Sequence, residues 1–243
     1  MKAKTSFSLI ICALACVACN KMESSLEQVE DVCTKIPDEN FRTMCYAEFD
    51  VNQDGRFSMN EAAAVSVLSN TYWNNVYQTR SYDIASLEGI EYFTGLKEII
   101  MSHSRMAEID VSRVTWLQKL SISDCYYLER VVFPDRVGDN FSVRFYNSSS
   151  EELFLPEGMT SLTQDSIMVP IGLKKLCLPS TLKSVASGAL EVFGHYTLTV
   201  LAMTPPSLEG DIPKPDHIYV PTQSVDAYKK AWSDYAGIIS VFK

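Results

Sequence analysis

Histidine is scarce in this chain, with three residues in 243. His103, His195 and His217 stand far apart, and none belongs to a metal or nucleophile motif, so each reads as a polar surface side chain. Gly-x-Ser-x-Gly, His-Glu-x-x-His and Gly-x-Gly-x-x-Gly are all absent. Their loss removes the common hydrolase, zinc-protease and dinucleotide readings. Paired carboxylates such as Glu151 and Glu152 have no accompanying constellation and read as a solvated turn, so no enzyme is expected. Positive charge is also short: 21 Lys and Arg against 30 Asp and Glu leave a net charge of -9. An acidic surface with no basic stripe repels phosphate backbones, which argues against nucleic acid as a partner. A bilayer-spanning run is missing as well, since the apolar stretch over 7–18 is too short to cross one.

What is present is an ordinary globular composition, 47% hydrophobic and 21% charged. Lys2 and Lys4 precede that short apolar stretch, and small residues follow it, so 1–19 reads as a targeting segment. It closes on Cys16-Val17-Ala18-Cys19, which resembles a bacterial lipobox. Cys19 is the expected lipidated residue, with Val17-Ala18 in the two places before the cut, and Cys16 after Ala15 is the alternative. Palmitate-type acyl chains on Cys19 would anchor a protein otherwise held in water. Four cysteines lie beyond the leader, Cys33, Cys45, Cys125 and Cys177. An exported chain permits a Cys33–Cys45 bridge, and isolated buried thiols fit equally well.

One stretch carries readable chemistry. From Asp50 to Glu61, oxygen-bearing side chains occupy positions 1, 3, 5, 9 and 12, with glycine at 6 and an apolar residue at 8. That is the spacing of an EF-hand calcium loop, because a hard dication needs six to eight oxygens from alternate, inward-pointing residues. Asp50, Asn52 and Asp54 would supply side-chain oxygens and Arg56 its carbonyl. Ser58 would bind directly or through water, and Glu61 with both carboxylate oxygens. Gly55 allows the chain to reverse at positive φ. Ser58 to Glu61 is also a capping box, and Asp54-Gly55 an ordinary turn, but those readings leave Asp50 and Asn52 unexplained. Helices are expected over 39–49 and 58–68, flanking the loop. No second loop is found, so Phe57 at position 8 should pack on the neighbouring region, with the hand as an N-terminal cap on that region.

From about Leu87 the pattern repeats. Apolar pairs two apart recur as Ile109/Val111, Val131/Phe133, Leu153/Leu155, Leu176/Leu178, Leu198/Val200 and Ile218/Val220, at steps of 22, 22, 23, 22 and 20. A weaker series, Ile99/Met101, Leu120/Ile122 and Val143/Phe145, lies between them. Such a period predicts a solenoid, in which stacking buries what a single turn cannot. Pro134, Pro156, Pro179 and Pro221 come straight after the strand pairs and should end the strands at one height. Val225, Tyr228, Trp232 and Tyr235 share one helical face and predict a capping helix. The expected fold is therefore mainly β with α+β character. It comprises a leader (1–19), a tether (20–36), a single EF-hand (37–70), a leucine-rich-repeat solenoid (71–221) and a C-terminal cap (222–243).

These residues carry a family resemblance. Leu176-Cys177-Leu178-Pro179-Ser180-Thr181-Leu182 and Leu153-Phe154-Leu155-Pro156-Glu157-Gly158-Met159 resemble the leucine-rich repeat of BspA-like surface lipoproteins of Bacteroides type. Ile218-Tyr219-Val220-Pro221 with the following Val225-Asp226-Ala227-Tyr228 is similar to their last unit, and the stretch from Ser86 to Leu96 to their entry. The resemblance implies a Ca2+-binding, monomeric lipoprotein at the surface of the outer membrane, whose non-catalytic repeats bind a protein or glycan. A structural accessory subunit of an outer-membrane complex is the alternative. The two differ in what the strand face exposes: clustered aromatics with Arg mark a binding hot spot, and an all-polar face marks a spacer.

Overall fold

The computed structural model describes residues 30–73, 79–168 and 171–242. The leader, with Cys16 and Cys19, lies outside these, as does most of the tether.

Three α-helices occur among the described residues. Helix α1, Glu39–Glu48, starts where the Asp38 carboxylate accepts the Phe41 amide, satisfying a donor that has no partner in the first turn. Its inward face carries Phe41, Met44 and Cys45, all fully buried. Helix α2, Met59–Ala64, begins at a complete capping box in which Ser58 and Glu61 satisfy each other's backbone. It stops after six residues, because the Lys97 and Glu98 amides both bind the Ser66 carbonyl and draw the chain into a strand at Val67–Ser69. Gly95 makes that crossing close: a Cβ there would lie 2.0 Å from the Ala63 carbonyl oxygen. Helix α3, Val225–Ala231, lies near the C-terminal end.

Among the described residues the strands form four separate parallel sheets and one antiparallel pair. Sheet A orders Val67–Ser69, Glu98–Ser102, Lys119–Ser123, Ser142–Tyr146, Ile167–Met168 and Leu190–Glu191. Its alternating burial points Ile99, Met101, Leu120, Ile122, Val143 and Phe145 inward, the period-2 pattern of a half-buried strand. Sheet B orders Glu152–Phe154, Lys175–Leu178, Thr197–Val200, His217–Val220 and Ile239–Val241. Sheet C comprises Ser161–Leu162, Ser184–Val185 and Ser207–Leu208, and a parallel pair joins Glu108–Asp110 to Arg130–Val132. A continuous apolar core lies between the sheets.

This topology corrects the expected fold. Strands assigned to one leucine-rich-repeat solenoid are divided among distinct sheets, and the break falls inside the stronger repeat series. Ile109 and Val131 pair with each other, whereas Leu153, Leu176, Leu198 and Ile218 belong to sheet B. Where the series breaks, Phe133 turns to pack edge-on against Phe141, with ring centres 6.1 Å apart, and Pro134 has no amide to extend a ladder. The weaker series lies in sheet A, the longest of all. Nor is the N-terminal part the expected EF-hand: the second helix, expected to reach residue 68, ends at Ala64, and the chain enters a sheet A strand at Val67. Phe57 at position 8 does pack on the neighbouring region, as expected; its carbonyl accepts the Val32 amide at 2.7 Å, and Asp31 bridges to Ser58. The Phe57 ring is buried 5.4 Å from that of Phe93. The C-terminal segment is likewise more than a capping helix, because after seven residues of α3 the chain adds Ile239–Val241 as the edge strand of sheet B.

Candidate functional site

The loop over 50–61 is held by its own polar side chains. Asp50 Oδ2 accepts the Gly55 amide at 3.0 Å, and Asn52 Oδ1 accepts the Asp54 amide at 2.9 Å. Asp54 Oδ1 accepts the Arg56 amide at 2.9 Å, and Asn52 Nδ2 donates to Asp54 Oδ2 at 3.2 Å. Glu61 reaches across the loop: Oε1 accepts the Val51 amide at 3.1 Å, and Oε2 accepts the Ser58 amide and hydroxyl at 2.9 and 2.8 Å. Burial opposes ionisation of Glu61 and is outweighed by these donors, so its carboxyl lies below the usual glutamate range. Gly55 has φ +77, the left-handed region that a Cβ disfavours.

Asp50, Asn52, Asp54, Ser58 and Glu61 thus share one hydrogen-bonded loop, to which Arg56 contributes its amide. Among the described residues, no three His, Cys, Asp or Glu side chains are gathered as a metal cluster. The carboxylates are turned onto backbone amides. One acceptor is left over: Asp50 Oδ1 is buried and has no hydrogen-bond partner. An orphaned carboxylate oxygen beside further acceptors has the chemistry of a cation ligand.

A second constellation lies on sheet A, where sequence reasoning placed nothing. Directly after three adjacent strands come His103, Asp124 and Asn147, each at positive φ (53, 54 and 48). The left-handed conformation is uncommon outside glycine, and Asn, Asp and His are the residues that best tolerate it. Asn147 Nδ2 donates to Asp124 Oδ1 at 2.8 Å and to the Tyr126 hydroxyl at 2.9 Å, and that hydroxyl lies 3.1 Å from Asp124 Oδ1. The hydrogen bond to Asp124, followed by burial and the Asp124 charge, pushes the Tyr126 phenol above its ordinary value. On the outward surface beside them lie Ser121, Ser123, Arg144 and Tyr146. The signal was available, because a polar residue follows the strand at the same place in each repeat of the weaker series. With a single His, Asp and Asn, it spells no known motif.

The four cysteines beyond the leader are buried and unbridged. Cys33 and Cys45 share a hydrogen bond that lowers the Cys33 thiol and raises that of Cys45, while burial pushes Cys125 and Cys177 up. His195 is exposed, with Nδ1 3.0 Å from Asp216 Oδ1.

Scanned against protein-family models the chain matches none, and a search of curated proteins finds no match to it.

Proposed function

We propose that this chain is a non-catalytic binding module that recognises a protein or glycan, anchored through Cys19 at the surface of the outer membrane. The observation that carries this reading is the exposed face of sheet A, where Tyr146 is half-exposed beside Arg144, with the half-exposed Tyr126 in the turn that follows the neighbouring strand. Aromatic rings and Arg held on a rigid sheet are the usual makings of a recognition surface. A spacer holding an outer-membrane complex together needs no such cluster, so the accessory role has less support. The decisive experiment screens the purified chain against glycan and protein arrays, with Tyr146→Ala as control. A ligand lost with that substitution supports the module, and an empty screen sinks it.

The reading includes Ca2+ at the loop over 50–61. Its support is the unpartnered Asp50 Oδ1 within a run of Asn52, Asp54, Ser58 and Glu61 oxygens. Bound metal would draw those oxygens from amides to itself. Affinity is expected on the order of micromolar to millimolar, as for extracellular sites with few charged ligands. Labelling with a palmitate analogue tests the anchor: Cys19→Ser should abolish incorporation, and label retained in that variant would move the anchor elsewhere.

A further inference from the structure

We propose that the outward face of sheet A, at the carboxyl ends of its central strands, binds an uncharged oligosaccharide. This rests on the binding-module reading and names its ligand class.

The floor is built of hydroxyls. Ser102, Ser121 and Ser123 point outward from neighbouring strands, and the Ser102 and Ser123 hydroxyls lie 2.9 Å apart. Ser121 and Ser123 line a depression of ≈ 390 Å³ together with Arg144, Tyr146, Asp165 and Met168. Such a floor offers little apolar area, so it does not suit the buried aromatic or aliphatic anchor of a protein partner. It does suit a ligand that carries hydroxyls of its own, since each serine both donates and accepts.

Tyr146 on the border of the depression, and the residues that follow the strands beside it, supply the other half of sugar chemistry. Tyr126 and Tyr146 are 50% and 47% exposed, enough for a ring face to meet the C–H face of a pyranose, while each phenol remains a polar handle. Beside them Asp124 and Asn147 are planar carboxylate and amide groups already fixed by mutual hydrogen bonds. Two adjacent sugar hydroxyls can bridge a planar group of that kind. Three left-handed residues, His103, Asp124 and Asn147, hold this edge on adjacent strands, and backbone of that kind gathers at ligand sites.

Charge selects among sugars. Arg144 lies 3.5 Å from Asp165, His103 lies 4.0 Å from Asp124, and Lys119 is paired with Glu98. The two cations, Arg144 and Lys119, are each met by an anion. No net field remains to attract a uronate, sulfate or sialate, and the acidic chain as a whole repels them.

The test uses the detergent-solubilised full chain on an array of neutral hexose, pentose and N-acetylhexosamine oligomers printed beside acidic ones, with calorimetric titration of any hit. Expected are binding to neutral oligomers that added salt leaves unchanged, and a loss of about tenfold or more in affinity for Tyr146→Ala. Tyr146→Phe, which keeps the ring, should stay close to the parent, and an unaltered melting temperature shows that the variants fold. Binding confined to acidic glycans, or indifferent to Tyr146→Ala and Asp124→Ala, overturns the assignment. A protein ligand lost with Tyr146→Ala, with no glycan bound, overturns this inference and leaves the module standing. No ligand of either kind removes both.

Discussion

Single side chains here owe their properties to one or two neighbours, and His195 is the plainest case. Its hydrogen bond to Asp216, and then the Asp216 charge, raise its pKa above the ordinary 6.5. A raised histidine stabilises the fold fully below its unfolded pKa, and the contribution is lost as pH rises through the folded value. Its NMR titration midpoint should therefore lie above 6.5 and return toward it in Asp216→Asn; a midpoint unmoved by that substitution would remove the pairing. Glu61 has the opposite sign. Its depressed carboxyl contributes above the ordinary glutamate range, and that stability drains away as pH falls through the folded value. The oxygen spacing from Asp50 to Glu61 was legible in the sequence. That the oxygens would rest on the amides of Val51, Asp54, Gly55 and Arg56 was not, because nothing in a spacing rule says whether an acceptor takes an N–H or a cation.

Elements begin where local chemistry dictates and end where the neighbours do. The start of α2 is local: Ser58 caps it, and Ser58→Ala should cost about 1 kcal/mol in urea denaturation. A loss near zero would mean that the cap is redundant. Its end is not local, since Ala62, Ala63 and Ala64 are good helix formers and helical spacing carried the expectation on to residue 68. Two hydrogen bonds from Lys97 and Glu98 to Ser66, some thirty residues away in sequence, override that preference. Gly95 guards the same junction. Gly95→Ala places a methyl against the Ala63 carbonyl and should destabilise by more than about 2 kcal/mol, far beyond an ordinary exposed Gly→Ala exchange. A neutral result would show that α2 can withdraw from the sheet at little cost.

At the scale of the whole molecule, sheet B gains a strand beyond helix α3. Ile239–Val241 pairs with His217–Val220 and takes its place as the edge of the sheet. Deleting the chain from Ile239 onward moves the unpaired edge to the longer strand His217–Val220 and should produce oligomers by size-exclusion chromatography; a monodisperse truncated chain would show that the strand is dispensable. Calcium at the proposed loop site would act globally too. A ligand held only by the folded state adds about 2.7 kcal/mol at a hundredfold excess over Kd. The melting temperature should therefore rise with Ca2+ and fall with chelator, and the difference should vanish in Glu61→Gln. The difference is the readout, since Glu61→Gln also weakens the α2 cap. An unchanged melting curve with chelator would remove calcium from the reading.

What the chain settled by itself is which residues face inward and where polar punctuation falls. Alternation at Ile99/Met101, Leu120/Ile122 and Val143/Phe145 is a local property of extended backbone, and all six side chains are buried. Which of those strands share a sheet was decided in three dimensions. A strand's hydrogen-bonding edges look alike whatever its partner, so equal spacing could not reveal that Val131 and Leu153 belong to different ladders. The same holds for the face built from Asp124, Tyr126, Arg144 and Tyr146: residues about twenty apart become neighbours once parallel strands lie side by side, and no local pattern records that meeting.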